Sequence, residues 1–171
     1  MLPIDDLQCF SDAPYPPVRA ETRNPAYARV MLDNVGGRNS EMSAISLYVY
    51  NHLILEDRPD ISKIFHKVSM VEMRHMEIFG TLACQLGEDP RMWTHYGCNK
   101  QYWSPGYNQY PKNLPALMLN VIDSEKAAIS KYQHQITYIR DENITENLRR
   151  IILDERLHAE LFEQVFAAYC S

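Results

Sequence analysis

The chain has 171 residues, 46% of them hydrophobic and 23% charged, the size and balance of one globular domain with a sizeable core. Its formal net charge of −5 leaves no basic footprint of the kind that nucleic acids or anionic membranes attract, so neither is expected as a partner. No run approaches the roughly 18 apolar residues of a membrane span and the start lacks the pattern of a signal peptide, so a cytoplasmic location is expected.

Pro3, Pro14, Pro16 and Pro17 crowd the first 24 residues, too many for a helix, and predict an extended arm over 1–24. Cys9, Cys84, Cys98 and Cys170 are scattered without a Cys-x-x-Cys pair. They read as free thiols and exclude a zinc ribbon or a four-thiolate iron centre. Asn24 before Pro25 has the form of an N-cap with proline at the first helical position, opening a short helix that Gly36 and Gly37 close.

Residues 25–171 are expected to form one helical domain. Four long segments of helical period follow the short helix, at 39–57, 61–86, 113–140 and 144–170. Asp57-Arg58-Pro59-Asp60 breaks the first from the second, and Asp141-Glu142-Asn143 the third from the fourth. Both breaks are short enough to make each pair an antiparallel hairpin. Residues 87–112 hold proline, glycine and many aromatics but no helical or strand period. About 26 extended residues can return the chain along a helix of about 38 Å. The prediction is all-α: an antiparallel four-helix bundle with one long crossover between its second and third helices.

Each long segment carries polar groups inside its apolar stripe. Glu125 lies among Met118, Val121, Ile122, Ile129 and Tyr132, while Glu155 and His158 interrupt Ile151, Ile152, Phe162 and Val165. Glu72 and His75 sit on the face of Val68 and Phe79, and Glu41 opens the stripe of Ala44, Ile45 and Tyr48. Four buried carboxylates are unstable together unless cations neutralise them. Two divalent ions match the four charges, and two neutral imidazoles complete a donor set.

Spacing supports the same six residues. Glu41 precedes Glu72 by 31 positions and Glu125 precedes Glu155 by 30, which brings all four to similar depth across the two turns. Each Glu-x-x-His puts both side chains on one helix face. The set recurs at a displacement of 83 or 84 residues, with Tyr48 and Tyr132 each seven positions after their glutamate. Both tyrosines could donate to the carboxylates or serve in redox protection, although a tyrosine on a core stripe more often fills space. His52, His66, His95 and His134 lack an inward glutamate three positions earlier and read as surface or locally bonded.

This pattern resembles the ferritin-like dinuclear carboxylate proteins. The stretch NPAYARVMLDNVGGRNSEMSAISLYVY resembles manganese catalases and their spore-coat relatives, and the helical core resembles rubrerythrins as well. The resemblance implies a ferritin-like bundle binding two iron ions, or alternatively two manganese ions, through Glu41, Glu72, His75, Glu125, Glu155 and His158. It also implies that Asp154 orients His75. The implied activity is that of an oxidoreductase on hydrogen peroxide or dioxygen, either a peroxidase with an external electron donor or a catalase needing none. The alternative is a non-catalytic structural, spore-coat-like or iron-handling protein. A homo-oligomer is expected, with the aromatic crossover covering the bundle or a partner subunit. Two features depart from rubrerythrins: they typically carry a further carboxylate where this chain has Ala128, and a thiolate-iron domain for which it has no cysteine pairs.

Overall fold

The computed structural model describes residues 7–170; residues 1–6 of the expected arm, with Pro3, and the terminal Ser171 lie outside the described residues. Asn24 caps α1 (Pro25–Gly36) by accepting from the backbone N–H of Ala26 and Tyr27. Four long helices follow: α2 (Glu41–Ile54), α3 (Pro59–Leu86), α4 (Leu114–Tyr138) and α5 (Glu142–Tyr169). Ser40, Asn113 and Asp141 cap α2, α4 and α5 by accepting from Ser43, Ala116 and Ile144, each satisfying an N–H that has no partner inside the helix. Gly87, at φ 109°, closes α3 in the left-handed conformation that glycine adopts without strain.

α2 and α3 form one antiparallel hairpin and α4 and α5 the other, joined by the long crossover, as in ferritin-like bundles. The crossover itself departs from expectation. It contains an antiparallel hairpin of β1 (Trp93–Tyr96) and β2 (Asn99–Tyr102), turning at Gly97 with φ 61°, and a 3-10 turn at Pro105–Tyr107. β2 is exposed throughout, which leaves no alternation in its sequence. Tertiary contact holds the hairpin instead: Thr94 Oγ1 donates to Asp33 on α1 at 2.9 Å, and Trp93 packs among buried residues of α1.

The bundle has two apolar cores. Tyr48, Phe65, Val68, Val121 and Phe162 belong to one; Leu32, Phe79, Leu82, Leu148 and Ile151, with α1 as a lid, belong to the other. Glu72 and His75 on α3, Glu125 on α4, and Glu155 and His158 on α5 fall between them in sequence, forming a polar layer across the middle.

Residues 7–24 form no helix or strand. They run antiparallel to α5: Glu21 N donates to Asp141, Asn147 Nδ2 to the carbonyl of Pro17, Arg150 Nε to that of Ala13, and Ser11 N to Asp154. Among the described residues, no helix is long and apolar enough to cross a membrane.

Candidate metal centre

The structure brings all six sequence-selected side chains into the polar layer, each at most 2% exposed. Their donor atoms form two overlapping groups able to hold a metal ion, Glu41–Glu72–His75–Glu155 and Glu72–Glu125–Glu155–His158, each with its atoms within 4.8 Å of one another. Glu72 and Glu155 belong to both groups. The pattern follows from the two hairpins: α3 and α5 each supply an inward Glu-x-x-His, and α2 and α4 each supply one further glutamate.

The imidazoles are oriented from behind. His158 Nε2 lies 2.8 Å from the backbone carbonyl of Cys9 and His75 Nε2 lies 3.1 Å from Asp154 Oδ2. A carbonyl and an ionised carboxylate only accept, so both Nε2 atoms carry a proton and both Nδ1 atoms face inward. His75 Nδ1 stands 2.9 Å from Glu72 Oε2 and 3.3 Å from Glu155 Oε1. His158 Nδ1 stands 2.9 Å from Glu72 Oε1 and 3.3 Å from Glu155 Oε2. A lone pair facing carboxylate oxygens this closely is repulsive, so each inward nitrogen requires either a second proton or a metal ion between it and the oxygens.

Without metal, protons meet that requirement. Burial opposes charge on both histidines, but the surrounding carboxylates overcome it and push both pKa values well above the usual imidazole range. Burial, together with the charges of Glu155 and Glu72, pushes Glu41 and Glu125 well above the carboxylate range. Burial acts the same way on Glu72 and Glu155, yet the two histidines hold both below their ordinary values. Glu72 Oε1 and Glu155 Oε1 are buried away from other donors and face only the inward nitrogens of His158 and His75. Two inward nitrogens and four acids, two of them shared between the donor groups, fit a pair of divalent cations.

Of the readings open for the two tyrosines, the structure bears out donation to the carboxylates. Tyr48 and Tyr132 do more than fill space: Tyr48 donates its hydroxyl to Glu125 and Tyr132 donates to Glu41. Each fixes the glutamate found in only one group. Asp154 lies against His75 as the family resemblance implied. It also accepts from Tyr15 and Ser11 and pairs with Arg150 at 2.7 Å; burial would raise its pKa, but these partners hold it at about 2. Nothing in the sequence marks Tyr15 or the Cys9 carbonyl as part of the site. Arg150 alone left a trace, as a charge one turn before Asp154 on a largely buried helix. His52, read as locally bonded, hydrogen-bonds Ser62 Oγ at 2.8 Å.

A cavity of about 400 Å³ opens between α2 and α4 and reaches Glu41, Glu72, Glu125 and Glu155 at its base. Ala44 and Ala128, each three residues after a glutamate, line it with small side chains, while Asn108, Asn120 and Ser124 make its mouth polar. On the opposite side, between α3 and α5, the arm covers the histidines.

Fold and site define a ferritin-like dinuclear carboxylate protein. Residues 38–166 match the rubrerythrin family, and the chain belongs to it; neither Ala128 nor the lack of cysteine pairs takes it outside. It is 22% identical to a probable manganese catalase of Clostridium acetobutylicum, over 86% of this chain and 73% of that protein. It is also 22% identical to Protein CotJC of Bacillus subtilis, over 86% of this chain and 87% of that one. The solved manganese catalase KatB of Anabaena PCC7120 superimposes with a TM-score of 0.82 at 20% identity, over 92% of this chain and 78% of KatB. A Rhodobacter capsulatus bacterioferritin does so with a TM-score of 0.70 at 20% identity, over 86% of this chain and 88% of that one. At these identities the structural likeness is one of fold.

Proposed function

We propose that this chain holds two divalent metal ions and is an oxidoreductase acting on hydrogen peroxide. Glu41 and His75 would hold one ion, Glu125 and His158 the other, and Glu72 and Glu155 would bridge them. The observation that carries this reading is the sharing of Glu72 and Glu155 by two donor groups at the base of a cavity open on one side. A pair of redox-active ions supplies two-electron exchange with a small oxidant, which a single ion does not readily provide.

The chain's own residues do the rest. The donor groups set ligand number and spacing, and the hydroxyls of Tyr48 and Tyr132 keep Glu125 and Glu41 from rotating. Asp154 and the Cys9 carbonyl retain the outer proton on each imidazole, so that the inner nitrogen is the ligand. The cavity between α2 and α4 admits a small polar molecule to the shared carboxylates, and the arm keeps water from the histidine side. The similarity to manganese catalases supports manganese ahead of iron, which the family resemblance had put first, and supports peroxide ahead of dioxygen.

Purified protein supplied with manganese or iron should carry about two ions per chain. It should consume hydrogen peroxide with no added reductant. Consumption only with a reductant would make it a peroxidase. Two ions with no turnover under either condition would leave the metals a structural or storage role, and fewer than about two ions in a metal-replete sample would remove the site.

A further inference from the structure

The internal repeat relates the two halves of the centre, and one position breaks it. Glu72 and His75 correspond to Glu155 and His158 at a displacement of 83, so the counterpart of Asp154 is Val71. Asp154 accepts from His75 Nε2, whereas a valine offers His158 no acceptor. The arm supplies one instead, the Cys9 carbonyl at 2.8 Å. Cys9 is itself buried in the core cluster against which Val71 packs. The same stretch reaches the other histidine's support: Ser11 N and the Tyr15 hydroxyl donate to Asp154. Arg150 Nε and Nη2 fasten the carbonyls of Ala13 and Ser11 at 2.6 and 2.8 Å.

We propose that residues 9–15 are a positioning element of the dinuclear centre. The Cys9 carbonyl does for His158 what Asp154 does for His75, so the ion at the His158 position is the more weakly held and its retention depends on the docked arm. The inference rests on the metal reading above. A neutral carbonyl polarises an imidazole less than a carboxylate does, and groups behind metal-bound histidines set ligand orientation and basicity. Asp154 stands on a 28-residue helix, whereas Cys9 stands on a segment without helix or strand, which opens locally at lower cost.

The test is metal release to a chelator from the full-length, manganese-loaded protein. Wild type should lose its two ions in two phases. In Cys9→Arg the large charged side chain does not fit the buried seat and lifts the carbonyl; the faster phase should accelerate by about 10- to 100-fold while the slower is unchanged. Val71→Asp, which restores a carboxylate at the repeat position, should slow the faster phase in the wild-type background and recover it in the Cys9→Arg background. The first of these outcomes does not depend on the arginine variant folding. A single release phase in wild type, equal acceleration of both phases, an unchanged fast phase in Cys9→Arg, or no effect of Val71→Asp would each overturn the proposal while leaving the two-ion centre intact. A wild-type chain that binds neither manganese nor iron would instead remove the metal reading itself.

Discussion

Glu72 and Glu155 belong to both donor groups, while Glu41 and Glu125 belong to one each, so the four acids contribute unequally. Glu72→Gln keeps the volume but removes a charge and an oxygen ligand from both positions, and metal content should fall from about two ions per chain to well below one. Glu125→Ala takes a ligand only from the His158 position, and about one ion should remain. Elemental analysis of folded, desalted protein checks both; equal losses in the two variants would mean that Glu72 is not shared. These residues could be found in the sequence because an ionisable group on an apolar helical face has few explanations, and six such groups at repeated spacing have fewer. Tyr48 and Tyr132 were harder, since a hydroxyl on a core stripe looks the same whether it fills space or holds a glutamate. The Cys9 carbonyl could not have been found, because every residue carries one.

The four long helices were legible from their apolar period and the short breaks between them, and α1 from Asn24 before Pro25; the other caps emerge in the structure. Asn24, Ser40, Asn113 and Asp141 stand where backbone N–H groups need acceptors, and Gly87 stands where α3 turns left-handed. The β1–β2 hairpin was not legible because its strands are four residues long and one is wholly exposed; it depends on α1 for support rather than on its own pattern. Gly36 tests that dependence. A Cβ there would lie 2.6 Å from Met92 C and 2.6 Å from Trp93 N, and since both are backbone atoms, α1 and β1 would have to separate. Gly36→Ala should cost about 1–3 kcal/mol and lower the melting temperature by roughly 2–4 °C per kcal/mol. Metal content should stay at the wild-type level, because none of the donor residues lies on α1 or β1. Thermal unfolding with elemental analysis on the same sample checks both. An unchanged melting temperature would mean that this contact is looser than its spacing indicates.

Across the whole molecule, a charged layer separates two apolar cores, and its charge balance sets how stability responds to pH and metal. Without metal, Glu41, Glu125, His75 and His158 all have folded pKa values above their ordinary ones. A group of that kind holds its proton more tightly in the fold; the stabilisation is complete below the unfolded pKa and is lost as pH rises through the folded value. Glu72, Glu155 and Asp154 are shifted downward, so their contribution is present above the unfolded pKa and fades only as pH falls through the folded values. The metal-free protein should therefore lose stability on going from about pH 6 to about pH 8, where the unfolded chain gives up protons that the folded layer holds more tightly. On the proposed reading two divalent ions would replace those protons at the same atoms, and ligands that must be deprotonated bind metal better as pH rises. Ion binding to the folded chain alone adds about 4 kcal/mol per site at a free concentration a thousand times the dissociation constant. The rise in melting temperature on adding manganese should thus be larger at about pH 8 than at about pH 6, with the metal-free curve moving the opposite way. Thermal unfolding of metal-free and manganese-loaded protein at both values measures it, and a gain that shrinks as pH rises would mean that protons and metal do not compete for the same six side chains.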